Sequence, residues 1–137
     1  LVIDIAGEAS VLMTMQEMST AVQYRLPIKI FILNNEYMGM VRQWQELLHE
    51  KNYSESYTAA LPDFVKLAES YGHIGMKVTK KADLKKTLVK AFSMKDRLVF
   101  VDVITDQTEN VYPMIVSGKG HHEMHLAPSV NEETELA

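Results

Sequence analysis

Leu26-Pro27-Ile28-Lys29-Ile30-Phe31-Ile32-Leu33-Asn34-Asn35-Glu36-Tyr37-Met38-Gly39-Met40-Val41-Arg42-Gln43-Trp44-Gln45 is the stretch that decides the fold. Pro27 closes the unit before it, since its ring fixes φ and removes a backbone donor. Ile28 to Leu33 is nearly continuously apolar, the pattern of a strand covered on both faces by helices. Asn34-Asn35 ends the run. From about Gly39 to Glu50 the period changes to that of a helix, with Val41, Trp44 and Leu48 on one side. Arg42 and Gln43 then face the other way, toward solvent or a partner subunit.

Outward from that core the same alternation repeats. Leu1 to Ile5 reads as a buried strand ended by Ala6-Gly7, and Val11, Met15, Met18 and Val22 mark the stripe of one helix from Ser10 to about Tyr24. Downstream, Tyr53 to Leu61 is a polar loop. Pro62 and Asp63 open a helix whose stripe Phe64, Leu67, Ala68 and Tyr71 stops at Gly72. Ile74 to Val78 is a short strand, Ala82 to Ser93 a helix with Leu84, Leu88, Ala91 and Phe92 inward, and Leu98 to Ile104 the last strand. Strands alternating with helices predict an α/β fold: a parallel sheet with helices on both faces. One domain over residues 1–126 and an acidic, disordered tail over 127–137 account for the chain.

Composition bounds the function. The 137 residues carry a net charge of −4, with 47% hydrophobic and 23% charged residues, which suits a folded globular chain. No apolar run approaches the roughly 20 residues needed to span a bilayer. The one basic cluster, Lys77, Lys80, Lys81, Lys85 and Lys86, coats an exposed end of a strand–helix unit, and nucleic acid is not an expected partner. Cysteine is absent, which excludes disulfides and thiolate chemistry and fits a cytoplasmic setting. The chain also opens inside an apolar strand with no capping lead-in, which suggests a piece of a longer protein with an exposed sheet edge, prone to self-association. His121, His122, Glu123 and His125 lack the spacing of a zinc helix and offer no evident third strong ligand.

In parallel sheets, ligands sit outside the carboxyl ends of the strands. That rule selects Gly7-Glu8-Ala9-Ser10 and Asn34 to Gly39. Gly7 allows a sharp turn, Ala9 and Ser10 allow close approach, and free N–H groups at a helix start suit a phosphate. Glu8 in the same turn would repel that phosphate unless a divalent cation stood between them. Mg²⁺ commonly combines one or two protein oxygens with phosphate oxygens, and Asn35, 27 residues after Glu8, supplies a neutral second oxygen at the end of the next strand.

These two loops resemble the diphosphate-binding half of thiamine-diphosphate enzymes, whose signature is Gly-Asp-Gly, some 25 residues, then Asn-Asn. The run 26–45, Tyr53-Ser54, Pro62-Asp63-Phe64-Val65-Lys66-Leu67-Ala68, Pro113-Met114-Ile115 and Ser117-Gly118 are similar to the C-terminal cofactor domain of the acetolactate synthase (acetohydroxyacid synthase) catalytic subunit. The likeness covers residues 1–126. Gln43-Trp44-Gln45 argues against the pyruvate oxidases and 2-keto acid decarboxylases of the same superfamily. The resemblance implies a thiamine-diphosphate-binding fold, N-terminally truncated, with thiamine diphosphate and Mg²⁺ as cofactors. It places Glu8, Asn35 and the Tyr37 carbonyl on the metal, Gly7, Ala9, Ser10, Gly39 and Met40 along the cofactor, and Trp44 in the substrate channel. It implies condensation of pyruvate with a second 2-keto acid in branched-chain amino-acid synthesis. The family's activating Glu lies in another domain, so no catalytic residue is expected in this chain and the isolated chain is expected to be inactive. A homo-oligomer, the missing N-terminal domains, a regulatory subunit and, in the parent enzyme, FAD are the implied partners. Glu8 departs from the family, which has Asp there. The alternative is a decayed or truncated module that folds and oligomerises without cofactor.

Overall fold

Four parallel strands, β1 (Val2–Gly7), β2 (Ile28–Asn34), β3 (Ile74–Val78) and β4 (Val99–Ile104), form one sheet in the order β1-β2-β4-β3. They belong to a computed structural model that describes residues 1–58 and 60–128. The helices are α1 (Glu8–Thr14), α2 (Met18–Gln23), α3 (Gly39–Leu48), α4 (Phe64–Ser70) and α5 (Lys81–Ser93). Side chains alternate along β2, so its neighbours on the two sheet faces form separate cores. Ile32 packs with Val11, Met18, Ala21, Phe64, Ala68, Leu98 and Phe100 beneath α1, α2 and α4. Phe31 packs with Val78, Ala91, Val99 and Val101 beneath α5. Helices therefore cover both faces, as the alternation of the sequence predicts.

Three expectations need correction. β1 is not a buried strand: it is an edge, and Leu1, Val2, Ile3 and Ile5 are exposed. Ile3 and Ile5 register with Lys29 and Phe31, on the α5 side of the sheet, but α5 lies mainly over β3 and β4 and meets β2 at Phe31. The helix from Ser10 to Tyr24 is two helices, separated by a 3-10 turn at Met15–Glu17. Thr14 leaves helical geometry there (φ −132°, ψ 14°), and its hydroxyl back-bonds to the Ser10 carbonyl. The break re-aims α2, so Met18 and Ala21 are buried while Met15 and Val22 stay exposed. On α5, Thr87 and Ala91 are buried and Phe92 stays at the rim, its ring 5.7 Å from that of Phe31.

α4 follows its sequence signals closely. Asp63 caps it by accepting from the Val65 and Lys66 N–H groups, and Gly72 turns the chain at φ 83°. Helix and strand then touch backbone to backbone: a Cβ on Gly75 would lie 2.6 Å from Val65 Cα and 2.7 Å from its carbonyl oxygen. The acidic residues 131–135 lie outside the described residues.

Because backbone cannot yield as a side-chain tip can, Gly75→Ala is expected to destabilise the chain by about 1–3 kcal/mol through overpacking. Urea unfolding measures it, and an unchanged midpoint would show that α4 can slide on β3.

Candidate functional site

β1 and β2 end at one level, because their ladder runs without a break from Val2↔Ile28 to Gly7↔Leu33. Glu8 and Asn35 therefore leave neighbouring strand ends side by side. Gly7, Glu8, Ala9, Ser10, Asn35, Tyr37, Gly39 and Met40 line one open cleft of about 270 Å³, joined by Met13, Met38 and Val41. Trp44 is half-buried further along α3 and is not among the lining residues.

The two asparagines build the turn that shapes the cleft wall. Asn34 Oδ1 accepts the Glu36 N–H at 3.2 Å and Asn35 Oδ1 the Tyr37 N–H at 3.3 Å, two successive side-chain turns that carry Glu36 through φ 59°. Asn34 is tied from behind as well, its Nδ2 donating to Asp102 Oδ1 at 3.0 Å. Asp102 is buried on β4 and pairs with Lys77 of β3 at 3.3 Å, so one polar chain runs across three strands beneath the loop. The Asn35 amide oxygen keeps a second lone pair. Gly39 leaves space for that amide: a Cβ there would lie 3.3 Å from Asn35 Nδ2.

Glu8 opens α1 with 1% of its surface exposed. Burial pushes its carboxyl above the usual carboxylate range, and the Asp102 charge adds a little. Backbone N–H groups of Glu8 and Asn35, and the Thr58 hydroxyl, pull it back without cancelling the shift. Glu8 Oε1 nevertheless has no hydrogen-bond partner. A buried, unpartnered carboxylate oxygen beside a neutral amide oxygen suits a hard cation, which takes oxygen ligands and offsets the charge.

α3 contradicts the sequence expectation for its faces. Arg42 and Gln43 are buried, and Val41 is exposed at the cleft. The segment that follows β4 covers them. Arg42 donates to the Thr108 carbonyl at 3.1 Å and pairs with Glu46 at 2.7 Å. Gln43 donates to the Val111 carbonyl at 2.9 Å and accepts the Val111 N–H at 2.7 Å. Arg42 also lies over the Tyr37 and Tyr53 rings, at 5.6 and 5.4 Å. Thr58 and Asp102 carry no sequence signal that would have placed them here, since each meets the site only through long-range folding.

The chain has relatives among known proteins. The family described as thiamine pyrophosphate enzyme, C-terminal TPP binding domain, matches residues 1–103. The acetolactate synthase large subunit of Haemophilus influenzae is 47% identical over 96% of this chain and 23% of its own length. The isozyme 3 large subunit of Escherichia coli is 46% identical over 92% of the chain and 22% of its own length. The mitochondrial acetolactate synthase of Schizosaccharomyces pombe is 44% identical over 96% and 19%. Among solved structures, the thiamine diphosphate-dependent 4-hydroxybenzoylformate decarboxylase of Rhodococcus jostii RHA1 superposes with a TM-score of 0.70 at 30% identity, over 77% of this chain and 20% of that one. The chain thus spans about a fifth of the length of the relatives it matches.

A carboxyl whose pKa rises on folding stabilises the fold only while protonated. Its contribution is full below the ordinary value of 4.5 and is lost as pH rises through the folded value. Glu8→Gln, which keeps the shape without the charge, is therefore expected to be more stable than the parent chain at about pH 7 without ligand. The gap should close at about pH 4. Urea midpoints at the two pH values test this, and a gap independent of pH would remove burial as the cause.

Proposed function

We propose, from the premise that this chain belongs to the C-terminal TPP-binding domain family of thiamine pyrophosphate enzymes, that its cleft holds the diphosphate of thiamine diphosphate through Mg²⁺. The parent enzyme would be an acetolactate synthase, condensing pyruvate with a second 2-keto acid in branched-chain amino-acid synthesis. The observation that carries the reading is the buried Glu8 carboxylate, one oxygen unpartnered, beside the Asn35 amide at adjoining strand ends.

Each residue has a defined task in this reading. Glu8, the Asn35 amide oxygen and the Tyr37 carbonyl would hold the Mg²⁺. Gly7, Ala9 and Ser10 would take the diphosphate, since the start of α1 has no side-chain cap competing for its N–H groups. Gly39 and Met40 would lie along the cofactor, and Trp44 would face the substrate channel. Thiamine diphosphate, when bound, supplies the carbon nucleophile that the reaction needs. The chain's own part is to fix the cofactor's charged end at the rigid ends of two strands and to keep Glu8 out of bulk water.

Activity would require parts of the parent enzyme beyond this site, so the isolated chain is expected to form no acetolactate from pyruvate. The open edge of β1, with three exposed apolar side chains and Leu1 just before them, supports self-association. A cytoplasmic setting is the proposed location; no helix among the described residues is long and apolar enough to cross a membrane.

Calorimetric titration of thiamine diphosphate into the chain is expected to give heat that requires Mg²⁺, is abolished by EDTA and is lost in Asn35→Ala. Silence in the parent chain with binding in Glu8→Asp would mean that the longer carboxylate closes the site. Silence in both would favour a module that folds without cofactor. Sedimentation velocity tests the edge: mass should rise with concentration, and a monomer throughout would show β1 to be inert.

A further inference from the structure

β4 reads Val99-Phe100-Val101-Asp102-Val103-Ile104, an apolar strand with a carboxylate in its middle. Asp102 is buried and registers with Ile32 of β2 and Lys77 of β3. It shares its sheet face with Phe100 and Ile32, beneath α1, α2 and α4, where an apolar side chain would pack well. Replacing a buried ion pair by apolar residues of similar volume is often neutral or stabilising. The pair with Lys77, at 3.3 Å, therefore does not by itself account for a carboxylate at this position.

Asn34 supplies the account. An ionised carboxylate only accepts hydrogen bonds, so it selects the amide nitrogen of a neighbouring Asn. Asp102 Oδ1 accepts from Asn34 Nδ2 at 3.0 Å, between two buried side chains. The Asn34 oxygen is thereby left to accept the Glu36 N–H at 3.2 Å, which holds Glu36 at φ 59° and carries Asn35 into its own bond with the Tyr37 N–H at 3.3 Å. The far end of the turn is held separately. The Met38 N–H donates to the Ser56 carbonyl and the Thr58 N–H to the Glu36 carbonyl, both at 2.8 Å, and Tyr57 pairs antiparallel with Tyr37. Asn35 and Tyr37 line the cleft between these two supports, whereas Asp102 does not line it. We infer that Asp102 is a positioning residue, which through Asn34 sets the turn that presents the Asn35 amide and the Tyr37 carbonyl to a divalent cation. This rests on the cation-site reading above and adds a residue to it. Partners standing behind metal ligands are worth about 10–100-fold in metal affinity.

The test uses the full chain with thiamine diphosphate and Mn²⁺ as the probe, free Mn²⁺ being read by its electron paramagnetic resonance signal. Lys77 is half-exposed and can turn to water, so the chain is expected to fold without the Asp102 charge. Asp102→Ala should weaken Mn²⁺ binding by about tenfold or more. Asp102→Asn, which keeps an oxygen for Asn34 Nδ2, should restore most of that affinity although it too breaks the Lys77 pair. Asn34→Ala removes the same link from its other side, so the double variant Asn34→Ala, Asp102→Ala should bind no more weakly than Asn34→Ala alone. Hydrogen exchange of the Glu36 N–H, read by NMR without any cation, should quicken about threefold or more in Asp102→Ala and little in Asp102→Asn. The inference is overturned if Asp102→Ala binds Mn²⁺ like the parent, if Asp102→Asn is as weak as Asp102→Ala, or if the two losses add. Unchanged exchange at Glu36 overturns the positioning role alone and leaves the cation site standing. No Mn²⁺ binding by the parent chain overturns the cation site, and this inference with it.

Discussion

Six consecutive parallel pairings hold β1 against β2 and set the level at which both strands end. Shifted by one residue, the same ladder would turn every side chain of β1 to the opposite face and carry Glu8 away from Asn35. The register is held because Ala6 packs into the core beside Ile32 while Ile5 lies outward beside Phe31. The site is thus a by-product of how two apolar strands pair. Loops carry the chemistry, but the sheet decides which loops meet.

Beneath the loops the polar chain Lys77–Asp102–Asn34 extends that ladder sideways. It satisfies a buried carboxylate and a buried amide with each other and with a lysine from the sheet rim. Glu8 has no such neighbour for one of its oxygens. The contrast is informative, because both carboxylates are almost fully buried within the same sheet end. Asp102 is spent on structure. Glu8 is left open to the cleft, which is the arrangement expected of a group awaiting a charge from outside the protein.

Much of this was readable before any coordinates. Strand and helix order follows from periodicity, and the cap at Asp63 and the stop at Gly72 follow from residue chemistry. The two loops follow from the rule that ligands gather at strand carboxyl ends. What could not be read has a common cause. The exposure of β1 depends on sheet order, which local apolarity does not encode. Burial of Arg42 and Gln43 depends on a segment more than sixty residues away, whose backbone groups pair with their polar ends. An apolar stripe marks the buried face of a helix only when its neighbours are apolar too. Thr58 was invisible for the same reason, since a loop that folds back leaves no periodic trace.

The cleft therefore has two kinds of wall. One is set by the sheet: Gly7 ends β1 and Asn34 ends β2, and the lining residues Glu8 and Asn35 follow them directly. The other is borrowed: Tyr37, Met38 and Gly39 keep their places because residues 56–58 brace them from one side, and Arg42 and Gln43 anchor their helix to the segment after β4. A cation bridging Glu8 and the Tyr37 carbonyl would join the wall set by the sheet to the borrowed one. Binding would then do more than neutralise a carboxylate, since part of its free energy would go into holding the second wall in place. Relaxing that brace would weaken such a site without touching a ligand atom.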